Sequence, residues 1–142
     1  MMVATFLVAL SLQLAQPDGL AVEGERLGRF STLFAVCEPY YAVDIEAGRR
    51  LADEFARRST GSGWTAAQRN AAYERGRTLE RAEIGIVMES ADVTPQEARR
   101  HLRQMFPRLK RRCQDLAREV PGSISDVEAG DRRLDAAARR LR

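Results

Sequence analysis

An all-α fold is expected for this chain: a small bundle of four or five helices after an N-terminal signal peptide, with one inter-helix disulfide. Three observations predict it. Apolar residues recur at spacings of three and four, the period of a helix face, and hardly anywhere alternate at two. No run rich in Val, Ile and Thr offers a strand. Helix-start chemistry stands ahead of the apolar stripes, most plainly at Thr94-Pro95-Gln96-Glu97. With 142 residues, 44% apolar and 30% charged, the chain suits one domain large enough to bury a core. The expected division is a removed segment, residues 1–21, and one helical domain over residues 22–142.

Taken in order, the first helical stripe is Leu27, Phe30, Phe34, Cys37 and Tyr41, which Pro39 should interrupt. A second helix puts Tyr41, Ile45, Gly48, Ala52 and Phe55 on one face, with Arg57 and Arg58 near its C-terminal end, where cations suit the helix dipole. Ser59 to Gly63 reads as the clearest loop. Thr65 and Gln68 make a capping box for a third helix expected to reach about Ser90, with Ala72, Gly76, Leu79, Ala82 and Ile86 as its stripe. In the fourth helix Thr94 is the N-cap, Pro95 the first helical residue and Glu97 the box partner, and Val93 can staple to Ala98. Its stripe is Ala98, Leu102, Met105, Leu109, Cys113, Leu116 and Val120, Pro107 predicts a kink, and Pro121-Gly122 ends it. Ser125 and Glu128 open a fifth helix with Val127, Leu134, Ala138 and Leu141 on one face.

The N-terminal segment is about address. From Val3 to Leu14 runs an apolar stretch of about twelve residues, followed by Ala15-Gln16-Pro17-Asp18-Gly19. A helix that crosses a bilayer needs about 20 apolar residues, whereas the core of a signal peptide is this short. Gly19 and Ala21 supply the small residues for cleavage after Ala21, and Gln13-Leu14-Ala15 is a poorer alternative. The segment before the apolar run has no Lys or Arg. Export to the periplasm or the medium is the expectation. Removal of Asp18 with the segment would raise the net charge from +3 to +4.

Cys37 and Cys113, the two cysteines, fall on the apolar stripes of the first and fourth helices and so should meet in one core. In an exported protein such a pair suggests a disulfide, and closing so long a loop is worth roughly 4.5 kcal/mol in the chain-entropy picture. No CxxC is present to suggest redox exchange.

All but one of the 23 basic residues are arginine, the exception being Lys110. Between Glu97 and Asp115 the charge is one-sided. At 100° per residue Arg99, Arg100, Arg103, Lys110 and Arg111 fall within about 120° of arc, beside the apolar stripe. This basic ridge is the candidate site for an anionic or protein partner: lipid headgroups, an acidic envelope polymer or an acidic protein. The alternative is a solvated face neutralised by acids such as Asp44, Glu46, Asp53 and Glu54. Only Phe106 interrupts the ridge with an aromatic ring, and its helical phase assigns it to the core, which argues against single-stranded nucleic acid as a partner.

Catalytic chemistry finds little support. His101 is the only histidine and lies between Arg100 and Leu102 in the basic stretch. With Glu97 it has i, i+4 spacing, but two cysteines and one histidine cannot build a closed zinc site, so no metal or cofactor is expected. Gly61-Ser62-Gly63 lacks the preceding strand and the Lys-Ser/Thr ending of a phosphate loop. Glu83 lies near the third stripe, where a boundary carboxylate reaching water is expected, and Trp64 should pack over the start of the third helix.

Met88-Glu89-Ser90, then Val93, Pro95 and Gln104-Met105-Phe106-Pro107, resembles the Glu-Ser and Gln-Met-x-Pro segments of lytic transglycosylases over some 20 residues. The resemblance implies glycan cleavage with Glu89 as the acid. The family's Gly-Leu-Met-Gln run is not present in its proper form, and groove aromatics do not follow. The expectation is therefore a non-catalytic, exported interaction or structural protein. An envelope hydrolase is the alternative, or a cytoplasmic nucleic-acid-binding protein if residues 1–21 are not a signal.

Overall fold

The computed structural model describes residues 3–86 and 93–141, with side chains described from residue 19 onward. Among the described residues five helices follow one another: α1 (Val3–Cys37), α2 (Ile45–Gly61), α3 (Ala66–Ile84), α4 (Pro95–Glu119) and α5 (Val127–Arg139). Among the described residues the only extended pairing is one antiparallel bridge between Val43 and Ile124, which ties the α1–α2 connection to the α4–α5 connection. No helix of the described residues is long and apolar enough to cross a membrane.

The helix ends show which start and stop signals work. Pro39 falls in the turn after α1, where the backbone N–H groups of Tyr40 and Tyr41 both donate to the carbonyl of Cys37. Asp44 caps α2, its carboxylate accepting from the Glu46 N–H. The Thr65/Gln68 capping box forms in full. Thr94 accepts from the Glu97 N–H, and Pro95 opens α4. That helix continues through Pro107, whose missing N–H falls on the exposed side. At α5 the cap is Asp126 rather than Ser125, and its carboxylate accepts from the Ala42 N–H and from the Arg133 side chain instead of capping a backbone N–H of the first turn.

Several boundaries and faces differ from the sequence reading. α1 runs unbroken across residue 21 instead of starting after it. The expected Ser59–Gly63 loop is shorter, since α2 runs on to Gly61. α3 ends at Ile84, where Gly85 adopts the left-handed conformation (φ 88°) that only glycine enters without strain, well before Ser90. Its buried face is Ala72, Gly76, Glu80 and Ile84, a strict four-residue ladder, and Leu79 and Ala82 point to solvent. Ile45, Ala98 and Leu102 are likewise exposed.

α1 is the central helix, packed against α2, α3 and α4, with α5 lying on α4. The main core joins Leu33, Phe34 and Cys37 of α1 to Phe106, Leu109, Cys113 and Leu116 of α4 and Leu134 of α5. A smaller aromatic group stands at the other end of α2. There Phe55 is met edge-on by Trp64 and Tyr73, at ring separations of 6.2 and 5.7 Å. Trp64, just ahead of the α3 cap, thus packs against Phe55 of α2.

α1 and α3 approach until their backbones touch. A Cβ added at Gly28 would lie 2.1 Å from the Tyr73 carbonyl oxygen, and one at Gly76 would lie 1.9 Å from that of Glu25. Only glycine fits at either position. The close approach at Gly76 fixes the phase of α3, which sets Ala72, Glu80 and Ile84 on the same buried face and leaves Leu79 outside it.

Candidate functional site

Cys37 and Cys113 form a disulfide across a sequence separation of 76, with Cα atoms 5.9 Å apart and both residues fully buried. It joins the last residue of α1 to the C-terminal half of α4 and thereby fixes the helix that carries the basic ridge.

Charges around α4 sort into used and unused. Arg112 reaches into the bundle, where its Nε donates to both oxygens of Glu80 at 3.0 and 3.1 Å and its Nη1 to Asp115 at 2.9 Å. Glu80 has 0% exposure and is also faced by Arg29 at 3.6 Å. The hydrogen bond to Glu80, opposed by burial and helped by the charges of Glu80 and Glu83, holds the Arg112 guanidinium still further above its ordinary pKa. Glu80 escaped the sequence reading, which weighed Glu83 instead. The signal available was its spacing of four from Gly76 on a face otherwise small and apolar. Glu83 is half exposed and bonds Arg29 at 2.7 Å, the boundary role expected of it.

The ridge residues divide in the same way. Lys110 is bound to Asp135 of α5, at 3.1 Å to each carboxylate oxygen. Among the described residues no acid lies within ion-pair distance of Arg99, Arg100, Arg103 or Arg111. Asp44, Glu46 and Glu54, the expected neutralisers, pair instead with Arg50, Arg49 and Arg58 of their own helix. Their place on α2 keeps them away from the ridge.

Residues 93–104 are exposed without exception. The first ten residues of α4, about 15 Å of helix, therefore project from the bundle as an arm bearing Arg99, Arg100 and Arg103, with Leu102 37% exposed beside them. Glu97 and His101 lie on this arm too, both exposed. At its base a cleft of about 330 Å³ opens between α4 and α5, lined by Arg103, Phe106, Pro107, Lys110, Leu134 and Asp135. Phe106 lies on the core side, 6% exposed, as its phase required. The structure thus brings Arg103 and Lys110 onto one cleft and leaves Arg111 on the exposed outer face. Glu89, the candidate acid of the alternative reading, lies outside the described residues.

No family model, curated protein or solved structure matches this chain. The geometry alone carries the functional reading.

Proposed function

We propose that this chain is an exported helical interaction protein with no catalytic role, which holds an anionic partner on the basic face of α4. The observation that carries the reading is the arm. Arg99, Arg100 and Arg103 project from the bundle on an exposed helix, with no acid of the described residues in ion-pair range, above a cleft that Arg103 itself lines. A face left uncompensated in this way attracts anions. Two observations support export. A buried disulfide suits an oxidising compartment. Among the residues whose side chains are described, Gly24 is the first that is buried, Glu23 pairs with Arg58, and Val22 is 68% exposed, which suits a mature start near Val22.

Co-sedimentation with phosphatidylglycerol and phosphatidylcholine vesicles, beside pull-down from envelope extract, tests the reading. The wild type should bind the anionic surface and lose it as salt rises, since exposed charges are screened beyond about 8 Å at physiological ionic strength. Arg99→Glu, Arg100→Glu and Arg103→Glu together should abolish the binding with helicity unchanged. Equal retention of wild type and triple variant would overturn it. The mass of the mature N-terminus should place the start near Val22, and an intact Met1 form confined to the cytosol would refute export.

A further inference from the structure

A second hollow lies away from the arm, on the outer side of core residues of α1. It opens between α1, α2 and α3, encloses about 380 Å³, and is walled by Leu27, Phe30 and Phe34 of α1 with Leu51 and Ala52 of α2. Ile45, 46% exposed, stands on its lining. An isoleucine left in water beside an apolar hollow forgoes the roughly 25 cal/mol per Å² that burial would return. The volume belongs to the range of small-molecule sites, about 300 to 1,000 Å³. A protein partner would need roughly 800 Å² on each side, yet outside the hollow α2 presents the charged Glu46, Arg50, Asp53 and Glu54.

The polar groups of the lining set the head-group chemistry. Arg49 enters from α2 and Arg77 from α3, against Glu38 as the single acid. Arg77 lies over the Tyr73 ring, 5.8 Å from the centroid. Its carboxylate partner is Glu74, three residues away on the same helix, and that of Arg49 is Glu46 in the same relation at 2.8 Å. Exposed pairs of this kind contribute little, so both guanidiniums can turn to a bound anion at small cost.

We propose that this groove binds a single-chain amphiphile with an anionic head group, the alkyl tail lying against Phe30, Phe34 and Leu51 and the head on Arg49 and Arg77. Calorimetric titration of the disulfide-bonded protein with dodecanoate, dodecyl phosphate and dodecyltrimethylammonium, all below micelle formation, tests it. Dodecanoate and dodecyl phosphate should each bind saturably at one site, and whichever binds tighter assigns the head group. The cationic amphiphile should bind at least about tenfold more weakly, a difference within what charged hydrogen bonds supply. Arg49→Gln with Arg77→Gln should erase that preference. Ala52→Phe should fill the groove and remove binding of all three. Ser31→Trp, from an exposed position on the same lining, replaces it if circular dichroism shows Ala52→Phe unfolded. The Arg99→Glu, Arg100→Glu, Arg103→Glu variant should bind dodecanoate like the wild type, which separates this groove from the arm. Absence of saturable binding, equal affinity for the cation, or binding untouched by a folded groove-filling variant would overturn the proposal.

Discussion

Glu80 is held in the bundle interior by Arg112 on one side and Arg29 on the other. Removing one partner of such a pair leaves an uncompensated buried charge, which costs more than the pair itself contributes. Arg112→Ala should therefore destabilise the protein by about 3 kcal/mol in urea unfolding, whereas Glu80→Leu combined with Arg112→Met should fall within about 1 kcal/mol of the wild type. A large loss in the double variant would mean that the ion pair is worth more than an apolar replacement. Asp126 offers a pH test. The Ala42 N–H, first, and then Arg133 hold its carboxyl below the usual carboxylate range. A depressed carboxyl contributes stability above the unfolded value, about pH 4, and loses it as pH falls through the lower folded value. Asp126→Asn should accordingly lower the Tm more at about pH 7 than in acid, where the wild-type carboxyl takes up its proton as the pH falls through its depressed folded value. An equal loss at both would assign the effect to packing.

At the scale of elements the decisive feature is the α1–α3 seam. Gly28 and Gly76 let two backbones meet, and an alanine at either would drive its Cβ into a carbonyl oxygen of the facing helix. Gly76→Ala should cost about 3 kcal/mol in chemical denaturation, since a helix cannot move aside as a flexible side chain does. Gly61→Ala serves as the control. Nothing lies within 4 Å of a Cβ there, at the last residue of α2, and the substitution should be neutral or stabilise by up to about 1 kcal/mol. A mild effect at Gly76 would show that the seam can open. The same seam explains why α3 turns Leu79, 42% exposed, outward. Periodicity finds a helix and its approximate face, but Leu79 and Glu80 are one residue apart, and which of them enters depends on how close the partner helix comes.

Across the whole molecule the disulfide connects parts distant in sequence. It holds the end of α1 to the C-terminal half of α4 over a separation of 76, so the loop it closes contains all of α2 and α3. In the chain-entropy picture such a loop is worth roughly 4.5 kcal/mol, a large share of a small domain's stability. Cys37→Ala with Cys113→Ala, or reduction, should lower the unfolding free energy measured in urea by that order with the helical content preserved. A shift under about 1 kcal/mol would mean that the core joining Leu33, Leu109 and Leu116 holds the helices without it.

Local chemistry alone determined much of this protein. The all-α class, the capping box at Thr65, the Thr94-Pro95 start of α4, the turn at Pro39 and the pairing of Cys37 with Cys113 all depend on residues near in sequence or on a count of two. The ridge was visible too, as a run of cations without an acid. Tertiary structure alone decided that Lys110 belongs to Asp135, that Arg112 belongs to the buried Glu80, and that Arg99, Arg100 and Arg103 stand on a projecting arm. It also set the depth of the α1–α3 seam and opened the groove beside α2. The physical reason is common to these. A cap or a helical phase is fixed by neighbours a few residues apart, whereas the partner of a charge and the space beside an apolar side chain depend on how closely distant helices pack.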